Sequence, residues 1–140
     1  DMSQHAIFWP ILAHVVLVYA MYVLIGLRRK KAVQTGSARV SQFRENREEP
    51  PESLFVRNNL ANQFELPVLF YSGCLALFAL EGAVPVAIWL AWVFVLSRYA
   101  HAYVHVTSNR IRYRQPLFVL GFLALGAMWV ILALKLWNAG

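Results

Sequence analysis

The sequence predicts an all-α integral membrane protein, a four-helix transmembrane bundle in a single domain over residues 2–140. Three observations carry this prediction. Hydrophobic residues make up 59% of the chain and charged residues 14%, against about 45–50% and about 25% in ordinary soluble domains. The apolar residues fall in long runs, and a chain of 140 residues has room for about four spans of ~20 residues. The formal net charge of +6 comes from basic residues set beside those runs, where anionic lipid headgroups, not nucleic acid, are the counter-ions. This composition excludes a disordered chain, a coiled coil and an ordinary cytosolic enzyme. The single cysteine, Cys74, excludes an intrachain disulfide.

Asp1 ahead of Met2 reads as the remnant of a removed tag. The first span covers about 6–27. It carries no formal charge, and His14 is its one titratable group. It is too long for the apolar core of a signal peptide. The block Arg28-Arg29-Lys30-Lys31 ends it. A solvated loop, 28–53, follows, mixing Arg39, Arg44 and Arg47 with Glu45, Glu48, Glu49 and Glu52, and Pro50-Pro51 closes it. The second span covers about 54–80, but its clean apolar part, 66–80, falls short of the ~20 residues needed to cross. Polar residues 57–65 must supply the missing turns, so a polar stripe enters the membrane boundary. Glu81-Gly82-Ala83 makes a tight turn, and Pro85 suits the first turn of a third span over 85–106. A basic loop over 107–114 leads to Pro116, which is read as opening a fourth span over 115–137.

Lysine and arginine set the orientation. Arg28, Arg29, Lys30, Lys31, Arg39, Arg44, Arg47 and Arg57 lie between spans one and two or at the start of span two. Arg110, Arg112 and Arg114 lie between spans three and four, and the turn between spans two and three has none. Both basic loops should face the cytoplasm and both termini the other side. Trp9, Trp89 and Trp137 then fall at the outer interface, where tryptophan collects.

A charge at the centre of a membrane helix costs ~2.5–3.5 kcal/mol on insertion scales, so such residues face a partner or a cavity. Asn58, Asn62 and Glu65 are spaced i, i+4, i+7, on one helical face. Pro67 leaves the carbonyl of Gln63 without its usual donor. This end of span two is either an amphipathic end among headgroups or the wall of a polar pocket. Arg98, His101 and His105, at i, i+3, i+7, share a face of span three. Arg98 either pairs with Glu65 or serves the same pocket. A metal held by His101, His105 and Glu65 has the ligand types but no second shell. A haem between His14 and His105 fails on depth, so no metal site is expected. His14 reads as a hydrogen bonder between helices. Asn109, Arg110, Arg112 and Arg114 form the third set. Arg114 stands beside the start of span four, where helix N–H groups and the dipole favour an anion.

Taken together, the run Asn62-Gln63-Phe64-Glu65-Leu66-Pro67, the run Arg98-Tyr99-Ala100-His101, the basic first loop and the later Arg114 resemble the MAPEG family, membrane-associated proteins in eicosanoid and glutathione metabolism. The resemblance covers nearly the whole chain and is strongest over 57–116. It implies a homotrimer of four-helix protomers with glutathione as co-substrate, bound between protomers near the cytoplasmic side. Carried over by position, Asn62, Glu65, Arg98 and His101 match glutathione-contacting residues, and Arg28 or Arg29 matches a span-one arginine. Arg114 matches the arginine near the glutathione sulfur and is the residue implied in catalysis. Asn58 and Ala61 stand where animal members carry further arginines, His105 and Phe118 where they carry tyrosines, and Gln115 where one branch has a serine. The chain looks more like bacterial members, which implies the inner membrane. The resemblance implies a glutathione transferase or peroxidase acting on lipophilic electrophiles or lipid hydroperoxides. One rival is a non-catalytic trimer that binds lipid or a partner helix. Another is a proton-coupled transporter using Glu65 or His101, which is weakened because the ionisable groups sit at one end of the bundle.

Overall fold

In lipid every backbone N–H and C=O must find its partner within its own segment, so long apolar runs can only be helical. The computed structural model describes residues 3–45 and 48–139. The tag remnant expected at Asp1 and the loop arginine Arg47 lie outside these residues. A 3-10 turn, Gln4–Ile7, leads into α1 (Phe8–Gln34). Next come α2 (Val40–Glu45), α3 (Pro51–Asn62), α4 (Leu66–Ala79), α5 (Pro85–Val106) and α6 (Ile111–Ala139). No strand occurs among the described residues. Three helical stretches among the described residues are long and apolar enough to cross a membrane: Gln4–Gln34, Pro85–Val106 and Ile111–Ala139.

The stretch expected as one second span is two helices, α3 and α4, of 12 and 14 residues. Pro67 is the cause. It cannot donate to the Gln63 carbonyl, so the helical hydrogen-bond ladder lapses there. The chain leaves the helix at Gln63-Phe64-Glu65, with Glu65 at φ −99°, ψ −99°. It restarts with Pro67 in the first turn of α4, where a missing N–H costs nothing.

The start of the last helix also differs from expectation. Asn109 takes the left-handed conformation at φ 51° and donates its N–H to the Val104 carbonyl at 2.7 Å. This caps α5 in a conformation that asparagine tolerates better than most residues. The chain reverses at once, α6 begins at Ile111, and Pro116 lies inside the helix instead of opening it. Arg114 therefore sits within the first turns of α6, not ahead of them.

The two basic loops share one end of the bundle, where Arg28 Nη1 donates to the Val106 carbonyl at 3.2 Å. At the other end the Ala83 N–H donates to Gln4 Oε1 at 2.8 Å, and the His5 ring meets Phe78 at 5.3 Å. Trp9, Trp89 and Trp137 are exposed. In the core Phe70 stacks on Phe94, with centroids 4.5 Å apart, among buried Cys74, Leu77, Ala87, Ala91 and Met128. Packing of this kind, not a hydrophobic driving force, holds helices together in lipid. Small residues set the approach of α5 to α6. A Cβ at Gly121 would lie 2.6 Å from Ser97 Oγ, which is occupied in donating to the Phe94 carbonyl at 2.7 Å. Gly121→Ala should therefore destabilise the protein by about 1–3 kcal/mol through overpacking. Adding Ser97→Ala should recover most of the loss, read as thermal unfolding in detergent.

The loop between α1 and α3 is fastened by one ion pair. Arg29 grips Glu49 with two bonds, Nη2 to Oε1 at 2.5 Å and Nε to Oε2 at 2.9 Å. Ser53 donates to the same carboxylate, and the Arg29 guanidinium lies 5.0 Å over the Phe43 ring of α2. Burial alone would raise the Glu49 pKa. The hydrogen bonds from Arg29 and Ser53, and the charges of Arg29 and Arg57, outweigh it and hold the carboxyl below its usual range. A depressed carboxylate pKa adds stability above the unfolded value of about 4.3, and that stability is lost as pH falls through the folded value. Amide exchange in α2, corrected for its intrinsic pH dependence, should accelerate on acidification through this window. In Glu49→Gln it should already be fast at neutral pH and change little.

Candidate functional site

The end of α3, the last turns of α5 and the first turns of α6 enclose an open cavity of about 290 Å³, lined by Asn62, His101, His105, Ile111, Arg114, Gln115 and Phe118. Each element presents its polar residue for a local reason. The helix break just after Asn62 leaves that side chain half-buried at a helix end. The unbroken α5 keeps Arg98, His101 and His105 on one buried face. The His101 and His105 rings are 5.6 Å apart, edge to face, and His101 meets Phe118 at 6.1 Å. Arg114 is steadied by the residue that turns the chain, donating from Nη1 to Asn109 Oδ1 at 2.6 Å.

Four sequence-predicted residues thus meet at one cavity: Asn62, His101, His105 and Arg114. Arg98 lies behind them, 1% exposed. It reaches Asn62 Oδ1 at 2.5 Å and Gln63 Oε1 at 3.5 Å from Nη2. It does not pair with Glu65, because the break removes Glu65 from the helical face it was expected to share with Asn58 and Asn62. Glu65 is exposed at the break. Asn58 is also exposed, and accepts from Arg57 Nη2 at 3.2 Å. Arg28 and Arg29 are engaged with Val106 and Glu49 and do not line the cavity. No group of three or more His, Cys, Asp or Glu side chains placed to hold a metal occurs among the described residues.

Two buried polar side chains behind the site are not singled out by the sequence. Asn59 and Gln63 are 0% and 1% exposed, one helical turn apart. Gln63 accepts from His14 Nε2 at 2.9 Å and donates from Nε2 to Asn59 Oδ1 at 2.8 Å. Asn59 Nδ2 meets His105 Nδ1 at 3.2 Å. The available signal was their i, i+4 spacing beside the Asn58/Asn62 pair.

Chemically the cavity is rich in donors, with the Arg98 guanidinium close behind its wall. Buried Arg98 Nε and Nη1 and His101 Nδ1 have no hydrogen-bond partner among the described residues, and no carboxylate lines the cavity. It adjoins an apolar groove of about 520 Å³ on the outer face of α6, with which it shares Ile111 and Gln115.

No curated protein and no solved structure matches the chain. The family model described as the MAPEG family matches residues 6–134. With apolar helices of spanning length along that same stretch, the chain belongs to the MAPEG family, which includes glutathione-dependent transferases and peroxidases as well as non-catalytic members.

Proposed function

We propose that the protein is a glutathione-binding membrane protein, a homotrimer of four-span protomers with α3 and α4 together forming the second span. It acts as a transferase or peroxidase on lipophilic electrophiles or lipid hydroperoxides. The donor-rich cavity, with Arg114 and two histidines at its wall and no carboxylate, is the observation that supports this reading best. Glutathione brings two carboxylates and a thiol that can ionise, and these anionic acceptors suit a cavity with no carboxylate of its own. Arginine donors to carboxylates are charge-assisted and strong. Arg114, at the cavity wall, favours the thiolate, which is the nucleophile. In the transfer the thiolate sulfur forms a bond to the electrophilic carbon, whose leaving group departs with the electron pair. The apolar groove on α6 adjoins this point, so a lipophilic partner can arrive from the bilayer.

Glu65 and Arg28 lie outside the cavity of one protomer, and a trimer is the arrangement that would bring such groups to a neighbour's site. Light scattering in detergent, corrected for the micelle, should return three protomers. A reporter fused after residue 139 should signal a non-cytoplasmic C-terminus, in the inner membrane of a bacterial host. The decisive experiment is calorimetric titration of glutathione into the detergent-purified protein. Saturable binding is expected, weakened roughly tenfold or more in Asn62→Ala, the range for a lost hydrogen bond to a charged group. Absence of binding heat would leave the second reading, a non-catalytic trimer whose α6 groove takes lipid or a partner helix.

A further inference from the structure

Tyr71, His14, Gln63, Asn59 and His105 form a continuous buried chain that runs from α4 through α1 and α3 to α5. The Tyr71 hydroxyl meets His14 Nδ1. His14 Nε2 meets Gln63 Oε1 at 2.9 Å, Gln63 Nε2 meets Asn59 Oδ1 at 2.8 Å, and Asn59 Nδ2 meets His105 Nδ1 at 3.2 Å. Heavy-atom positions alone allow such a chain to run in either direction, because an amide can be turned over and a neutral imidazole can exchange tautomers. Turning over both amides would reverse every bond and leave each one satisfied. One neighbour breaks this symmetry. Arg98 Nη2 lies 3.5 Å from Gln63 Oε1 and 2.5 Å from Asn62 Oδ1. A guanidinium only donates, so the short contact makes the Asn62 atom an oxygen, and the longer one favours oxygen over an NH₂ group at Gln63.

The consequences follow bond by bond. Gln63 Oε1 faces His14, so His14 carries its proton on Nε2, and in the neutral ring its bare Nδ1 accepts from Tyr71. The Gln63 amide nitrogen then donates to Asn59 Oδ1, which leaves the Asn59 amide nitrogen facing His105. His105 Nδ1 must therefore be bare, and its proton sits on Nε2. Asn62, whose oxygen accepts from Arg98, keeps its NH₂ free to donate into the cavity it lines.

We propose that Arg98 is a positioning residue. It sets the polarity of the buried chain and so holds His105 as the Nε2–H tautomer and Asn62 as a donor, which makes both residues donors to an acceptor-rich anion in the cavity. The cavity's preference for anions thus depends on a side chain that does not line it. The inference concerns the same site as the glutathione reading, but its first test needs no ligand.

The test is two-bond ¹H–¹⁵N correlation on the full-length, ¹⁵N-histidine-labelled protein in nanodiscs, with the His105 signals assigned by their loss in His105→Gln. The wild type should show His105 with a protonated Nε2 and an unprotonated Nδ1. Arg98→Lys, which keeps a donor, should preserve this pattern, whereas Arg98→Met should give a mixture or the reverse. Asn59→Asp is a second variant that leaves Arg98 in place. It puts an acceptor against His105 Nδ1 whichever oxygen faces it, so it should move a proton onto Nδ1. An Nδ1–H tautomer in the wild type, an unchanged tautomer in folded Arg98→Met, or an unprotonated Nδ1 in Asn59→Asp would each refute the proposal. Glutathione titration then separates the two ideas. Affinity should fall about tenfold in Arg98→Met and far less in Arg98→Lys. The expected tautomers with no binding in any variant would reject glutathione and leave the role of Arg98 standing.

Discussion

Arg114→Ala should raise the pKa of the cavity-bound glutathione thiol by about one unit, equal to about 1.4 kcal/mol of lost thiolate stabilisation, while lowering glutathione affinity less. The structure gives this expectation its geometry. Arg114 is half-buried at the cavity wall, and Asn109 holds one of its nitrogens at 2.6 Å, so the guanidinium stays at the site without needing a ligand to order it. A fixed charge in a partly desolvated cavity acts on a nearby thiol more strongly than the same charge in water. Asn62→Ala should show the opposite pattern, with weaker binding and a nearly normal thiolate fraction among the occupied sites. Ultraviolet titration of the bound thiolate and binding isotherms on both variants make the comparison. If Arg114→Ala sharply weakens binding but leaves the thiolate fraction of what still binds unchanged, Arg114 is a carboxylate clamp. Asn109→Gly, which keeps the left-handed turn, provides a graded control. It releases Arg114 without removing its charge, and should shift the thiol in the same direction by a smaller amount.

The sequence revealed more of the frame than of the site. Long apolar runs and the backbone's need for internal hydrogen bonds leave only helices, and the basic residues mark which loops share an end. The Arg28–Val106 contact and the Gln4–Ala83 contact agree with that pairing. Proline was harder to interpret. Pro67 signalled an unpaired Gln63 carbonyl, but not that the chain would leave the helix for three residues. Pro116 looked like a helix start, yet α6 runs through it. The carbonyl it deprives is that of Arg112, near the exposed end of α6, where water or a headgroup can serve it. The site was half visible for a related reason. Spacing places His101 and His105 on one face whatever surrounds them, because α5 is unbroken. On α3 the polar residues crowd too closely for spacing to choose among them. Asn58 faces out and Asn59 faces in because His14 and His105, on other helices, wait on one side only. Periodicity within one helix carries no information about its neighbours' polar groups.

Gln63 shows how much depends on that hidden side. Gln63→Leu should lower stability by about 2–5 kcal/mol. A single hydrogen bond between membrane helices averages only about 0.6 kcal/mol in double-mutant cycles, so three contacts, to His14, Asn59 and Arg98, would account for about 2 kcal/mol. The remainder comes from what the leucine leaves behind. His14 Nε2 and Asn59 Oδ1 lie in side chains that are 0% exposed, and a buried polar group without a partner costs about 1–3 kcal/mol. Leucine matches glutamine closely in volume, so little of the loss can be assigned to a cavity. Unfolding by titration with a denaturing detergent, followed by helix circular dichroism, gives the magnitude. The double variant His14→Phe with Gln63→Leu separates the two sources. If orphaned groups dominate, removing the His14 ring's unmet donor should restore part of the stability that Gln63→Leu loses. If lost bonds dominate, the double variant should be no more stable than Gln63→Leu alone. Recovery is the expected result, because the His14 ring is 0% exposed and lies among Phe70, Tyr71 and Phe94.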